Sequence, residues 1–80
     1  MKSLHIEYFA LLREERGCQR ETVRTNAVSA VDLYRELQTR HVFSTPADRL
    51  KVVINNEIRS WNSLLKEGDT VSFIPPVSGG

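Results

Sequence analysis

The residues best suited to chemistry in this 80-residue chain are the last six, Pro75-Pro76-Val77-Ser78-Gly79-Gly80. Two prolines fix φ and remove two backbone donors, so a preceding strand is expected to stop there. A residue that precedes a proline is pushed toward extended geometry, which applies to Ile74 and Pro75. The tail therefore starts stiff and points away from the body. Two glycines then end the chain in a carboxylate with no side chain beside it. Such a carboxylate can thread a narrow channel and reach a reactive centre in another protein. Small residues also suit a frayed terminus. Gly79-Gly80 by itself leaves both readings open.

Other residue types that could do chemistry are few. Cys18 is the one cysteine. It rules out a disulfide framework within the chain and a cysteine-built zinc or iron–sulfur site. A single thiol fits a reducing, cytoplasmic location. With no histidine near it in sequence, Cys18 is assigned no role. His41 lies at the end of an apolar helical stripe and reads as a terminal residue near the last carbonyls, not as a catalyst. Charged residues make up 26% of the chain and sum to +1. No basic or acidic block points to nucleic acid or a membrane surface. No apolar run is long enough to span a bilayer, and the start has no signal-peptide pattern. A chain this short buries about 60% of its unfolded surface, leaving little room for an internal active site beside a core.

The elements that must carry the tail can be read from periodicity. In residues 3–10, Leu4, Ile6 and Tyr8 alternate with His5 and Glu7, the pattern of a half-buried strand. Phe9 falls on the face of His5 and Glu7. It is either a strand end curling back onto the core or an exposed contact residue. Residues 10–16 are good helix formers and stop at Gly17. Arg13 on that turn is a solvated charge or a contact for a partner. Residues 19–25 read as a second strand, antiparallel to the first. Ser29 opens the main helix, with Asp32 three residues later as a variant capping box. Ala30, Leu33, Tyr34, Leu37 and His41 form its apolar stripe, while Val31, Arg35, Glu36, Gln38 and Arg40 mostly point away.

Residues 42–49 read as a loop. Residues 50–55 are apolar and β-rich enough for a central strand. Asn55-Asn56 signals a turn into a short strand from Glu57 to Ser60. Ile58 on that strand has no evident core partner. Trp61 and Leu64-Leu65 are expected to cap the core. A turn over residues 66–69 leads into the last strand, residues 70–74. Val71 and Phe73 face inward there, and Ile74 faces the other way.

Apolar faces in this order are buried most simply by a mixed sheet with one main helix across it, the first and last strands parallel and central. That is an α+β, β-grasp (ubiquitin-like) domain over residues 1–74, followed by an extended flexible tail, residues 75–80.

The motifs within these elements resemble the MoaD family, the small ubiquitin-like sulfur-carrier subunit of molybdopterin synthase. Tyr8-Phe9-Ala10 with Leu12-Arg13-Glu14 and Gly17 resembles the family's opening motif. Ser29-Ala30 with Leu33 resembles its helix start. Val53-Ile54-Asn55, Leu65, Gly68-Asp69 and Val71 follow in the family's spacing. Pro75-Pro76-Val77-Ser78-Gly79-Gly80 resembles its ending, with Ser78 where many members have threonine. Residues 42–49 match nothing specific.

The resemblance implies a carrier, not a self-sufficient enzyme. An ATP-dependent adenylyltransferase (MoeB-like) would convert the Gly80 carboxylate to an acyl-adenylate, and a sulfur donor protein would turn that into a thiocarboxylate. The tail would then deliver sulfur to cyclic pyranopterin monophosphate in the large subunit of molybdopterin synthase (MoaE-like). Gly80 carries the reacting group, and Gly79 keeps the threading segment narrow. The family contact surface maps onto Phe9, Arg13, Ile58 and Ile74, continuing into Pro75, Pro76, Val77 and Ser78. A heterotetramer of two small and two large subunits is implied. The chain itself is expected to bind no metal and no cofactor, with ATP used by the activating partner.

Three other readings share parts of this pattern. A sulfur carrier for thiamine or another thiolated product uses the same tail. Thiazole carriers usually lack the Phe9-Ala10-x-x-Arg13-Glu14 stretch and the two prolines. A ubiquitin-like protein modifier also passes through an acyl-adenylate. The last is a passive β-grasp interaction module.

Overall fold

The computed structural model describes residues 1–75. Strand β1, Lys2–Tyr8, sends Leu4, Ile6 and Tyr8 fully into the core and leaves His5 and Glu7 on the opposite face. Helix α1, Ala10–Arg16, follows almost at once and buries Leu12. It ends at Gly17, whose φ of 85° lets its N–H return to the Arg13 carbonyl at 2.9 Å. Strand β2, Arg20–Thr25, runs back antiparallel along β1, from Glu7 opposite Arg20 to Lys2 opposite Thr25.

Helix α2, Ala30–Arg40, begins with the expected capping box. The Ser29 hydroxyl accepts from the Asp32 amide and the Asp32 carboxylate accepts from the Ser29 amide. Ala30, Leu33, Tyr34 and Leu37 are completely buried, which accounts for the helical spacing of those residues. His41 is the C-cap residue, its amide donating to the Leu37 carbonyl. Strands β3 (Lys51–Ile54), β4 (Glu57–Arg59) and β5 (Thr70–Ile74) complete the molecule.

The five strands form one sheet in the order β2-β1-β5-β3-β4. The central pair β1 and β5 is parallel, and the other pairings are antiparallel. This is the β-grasp arrangement. Parallel pairing of the chain's first and last strands requires a long crossover, and α2 supplies it. Among the described residues no helix is long and apolar enough to cross a membrane.

Three local expectations change. The stretch 42–49 contains a 3₁₀ turn, Ala47–Arg49, and contributes Phe43 to the core. The Phe43 ring lies 5.6 Å from that of Tyr8 and 6.0 Å from that of Tyr34. A lone aromatic in an irregular stretch has no period to reveal it. Trp61 stacks on Phe73 and Leu65 is buried, but Leu64 is 69% exposed. Leu64 bridges to Ser29 in extended geometry, and alternation turns it out where Leu65 turns in. Glu36 does not point away: it is half-buried and accepts from the Thr25 hydroxyl at 2.6 Å.

Candidate functional site

The sheet has a second face, away from α2, and the strand registers show what it carries. One rung runs Arg20, Glu7, Ser72, Val53, Ile58 across all five strands. Arg20 and Glu7 pair at 3.3 Å, making the β2 side polar. Val53 and Ile58 make the β4 side apolar. One step toward the tail, Ile74 stands opposite Lys51. Tyr8 is opposite Phe73 in the parallel pair. Phe9 is still extended, at φ −129° and ψ 151°, and follows Tyr8 as Ile74 follows Phe73, so alternation turns both toward the outer face.

The structure thus brings Phe9, Ile58 and Ile74 onto one face, with Val53 between them. Phe9 is 38% exposed and Ile58 73%. Ile74 is half-buried, because a central strand has neighbours on both sides. Phe9 therefore does not curl back into the core. The apolar run Val52-Val53-Ile54 conceals Val53 in the sequence. Only the alternation of buried Val52 and Ile54 with half-buried Val53 exposes its role on the face.

The β3–β4 hairpin that holds Ile58 is set by Asn55 and Asn56, at φ 51° and 69°. Two positive φ values match the right-handed twist of a tight hairpin, and asparagine tolerates them. The Asn55 side chain then ties the hairpin to β5. Its amide nitrogen donates to Asp69 at 2.9 Å, and its oxygen accepts from the Thr70 N–H at 3.0 Å.

Helix α1 follows Phe9 directly and is anchored on the core side of the sheet. Arg16 donates twice to the Glu21 carboxylate, at 2.8 Å each, and the Tyr8 hydroxyl donates to the same group. Glu15 accepts from the Ser44 amide at 3.1 Å. These contacts fix the helix that carries Arg13, which is exposed and makes no ion pair among the described residues.

The shifted titrations lie away from the apolar face. Hydrogen bonds from Arg16 hold the Glu21 carboxyl below its ordinary range, against the effect of its partial burial. Burial, then the bond to Glu21, pushes the Tyr8 phenol up. Burial raises Tyr34 to about 12 and lowers His41. Each group is tied to packing around α1, β2 or α2. Among the described residues no cluster of three or more His, Cys, Asp or Glu side chains could hold a metal ion.

Strand β5 leads directly from the face to Pro75, the last described residue. Pro75 is half-buried and shares a groove with Ser44, Thr45, Pro46 and Arg49. Pro76, Val77, Ser78, Gly79 and Gly80, on which the tail chemistry was read, lie outside the described residues.

Fold and surface together define a ubiquitin-like β-grasp domain with an apolar sheet face at the root of its C-terminal segment. The chain belongs to the ThiS family, whose model matches residues 6–80. It is 32% identical to the molybdopterin synthase sulfur carrier subunit of Drosophila melanogaster, over 98% of this chain and 91% of that one. Among solved structures it resembles the putative molybdopterin converting factor, subunit 1, of Pyrococcus furiosus. That match has 29% identity and a TM-score of 0.78, covering 96% of this chain and 100% of the other. Small archaeal modifier protein 1 of H. volcanii shares the fold, at 23% identity and a TM-score of 0.81, with 96% and 100% covered.

Proposed function

We propose that this chain is a sulfur carrier in molybdenum cofactor synthesis, acting as the small subunit of molybdopterin synthase. The observation that carries this reading is the continuity of β5 with the tail. Ile74, in the apolar face with Phe9, Val53 and Ile58, is followed directly by Pro75 and the five residues that end in Gly79-Gly80. A partner that covers the face receives the tail at a set origin. The family match and the sulfur carrier relatives support the same reading.

The chemistry follows from the terminal group. A carboxylate resists nucleophiles because of its charge and its poor leaving group. Attack of a Gly80 oxygen on the α-phosphorus of ATP, in an adenylyltransferase, expels pyrophosphate and makes an acyl-adenylate. Hydrosulfide delivered by a donor protein then attacks the acyl carbon and displaces AMP, and loss of the S–H proton leaves a thiocarboxylate. Its charged sulfur is the reactive form. In the large subunit that sulfur attacks cyclic pyranopterin monophosphate, and hydrolysis of the acyl bond returns the carboxylate. Two such transfers build the dithiolene. Gly79 keeps the last segment narrow, and acid–base groups come from the large subunit. The working assembly is a heterotetramer of two small and two large subunits.

Intact mass after coexpression with the activating enzyme and a sulfur source tests this reading. Exchange of one oxygen for sulfur at the terminus is the expected result. Attachment to protein lysines would instead make the chain a modifier. Transfer of the sulfur to a thiazole precursor but not to the pterin would make it a thiamine carrier.

A further inference from the structure

Strand β1 ends at Tyr8 and helix α1 starts at Ala10, so a single residue, Phe9, joins strand to helix. The reversal in direction falls on Ala10, whose φ is 52°. Asn55 and Asn56 are the other non-glycine residues with positive φ among the described residues, and they occupy a hairpin turn that favours them. Alanine has no local hydrogen bond to compensate, and its Cβ crowds the following carbonyl in this conformation. Glycine would adopt it freely.

The surroundings impose the bend. Tyr8 is completely buried, and its amide is bonded to the Gln19 carbonyl at 2.8 Å. Leu12, four residues on, is 1% exposed, and its amide bonds to the Phe9 carbonyl at 3.1 Å. With both anchors in the core, the chain must turn between them. Phe9, the N-cap with no side-chain cap bond, is left on the outer face. A backbone position held in an unfavourable region by its neighbours, beside a surface built for contact, is a candidate for pre-organisation.

We propose that Ala10 is a positioning residue whose left-handed backbone fixes the direction of Phe9 and holds its ring beside Ile74 for the large subunit. The partner's identity rests on the proposed function; the geometry does not. Glycine at this position would relieve the crowding but let the backbone sample both hands and spread the Phe9 ring. A β-branched residue would resist positive φ and turn the ring away. D-alanine favours positive φ and keeps the restriction.

Chemical ligation at the Gly17–Cys18 junction allows residues 1–17 to be synthetic. Ala10→D-Ala, Ala10→Gly and Ala10→Val are made with and without Phe9→Ala. In the free chain, NMR contacts between the Phe9 ring and the Ile74 methyls report the ring's position, and Tm reports stability. The Ala10→D-Ala variant is expected to keep the contacts, raise Tm and bind the large subunit at least as tightly as the unaltered chain. Ala10→Val is expected to lose the contacts and weaken binding about tenfold, a loss that shrinks below about twofold once Phe9 is alanine.

Loss of the contacts or a lower Tm in Ala10→D-Ala overturns the proposal. So does an Ala10→Val loss that is equal with and without the Phe9 ring. Should Ala10→Val fail to fold, Ala10→Gly decides. Weaker Phe9–Ile74 contacts than in Ala10→D-Ala support the proposal, and indistinguishable contacts overturn it. An unaltered chain that does not bind the large subunit refutes the functional reading instead, and the NMR contacts and Tm still decide the geometry.

Discussion

The Tyr8 hydroxyl donates to the Glu21 carboxylate, joining the last residue of β1 to β2 on the core side of the sheet. Glu21 also takes both bonds from Arg16 at the end of α1. One carboxylate thus ties two strands and a helix together at the point where Phe9 leaves the sheet. Strand β2 is an edge strand and gains from such a tie.

Glu21→Gln is expected to destabilise the domain by about 1–3 kcal/mol at pH 7, because charge-assisted bonds from Arg16 are weakened. Glu21 has a lowered folded-state pKa. Its stabilisation is therefore complete above the unfolded carboxylate value, about 4.3, and is lost as pH falls through the folded value. Urea titrations of both chains between pH 7 and pH 3 should show the gap narrowing in acid. A gap that stays constant would mean that Glu21 is not held low.

Leu33→Ala removes a completely buried side chain from the face of α2 that packs on the sheet. The expected loss is about 2–5 kcal/mol, the usual range for a packed leucine site. A urea midpoint unchanged within error would remove Leu33 from the core.

Ile58→Asp probes the apolar face more cleanly than a change at Ile74, which is half-buried. Ile58 is 73% exposed on a short edge strand, so stability should change by no more than about 0.5 kcal/mol. Affinity for the large subunit should fall at least tenfold, about 1.4 kcal/mol, if the residue is near the centre of the contact. Undiminished binding in a titration would place the interface elsewhere.

Deleting Gly80 should abolish sulfur transfer while leaving Tm unchanged, since terminal residues rarely contribute to stability. The deletion shortens an extended tail by about 3.3 Å. A misplacement of even about 1 Å can cost on the order of 100-fold in rate. Adding a residue after Gly80 should fail too, because the carboxylate moves and Gly80 becomes an amide. Dithiolene formation with large subunit, activating enzyme, ATP and a sulfur source is the assay. Normal turnover by the truncated chain would return the tail to an ordinary chain end.

Much of this protein is local in origin and can be read along the chain. Alternation in β1, the Ser29–Asp32 box, the Asn55-Asn56 turn and the Gly17 stop each depend on near neighbours and short-range geometry. Contacts between distant segments are another matter. Phe9 and Ile58 share a face only because β5 inserts between β1 and β3. Phe43 is buried because Tyr8 and Tyr34 leave a space that its ring fills, and Leu64 is exposed because its neighbour takes the inward position. Glu21 looks like one more surface acid until α1 folds back and brings Arg16 to it. Alanine at position 10 announces a helix by propensity. Its left-handed backbone comes from Tyr8 and Leu12 being anchored four residues apart, a constraint that exists only once the core has closed.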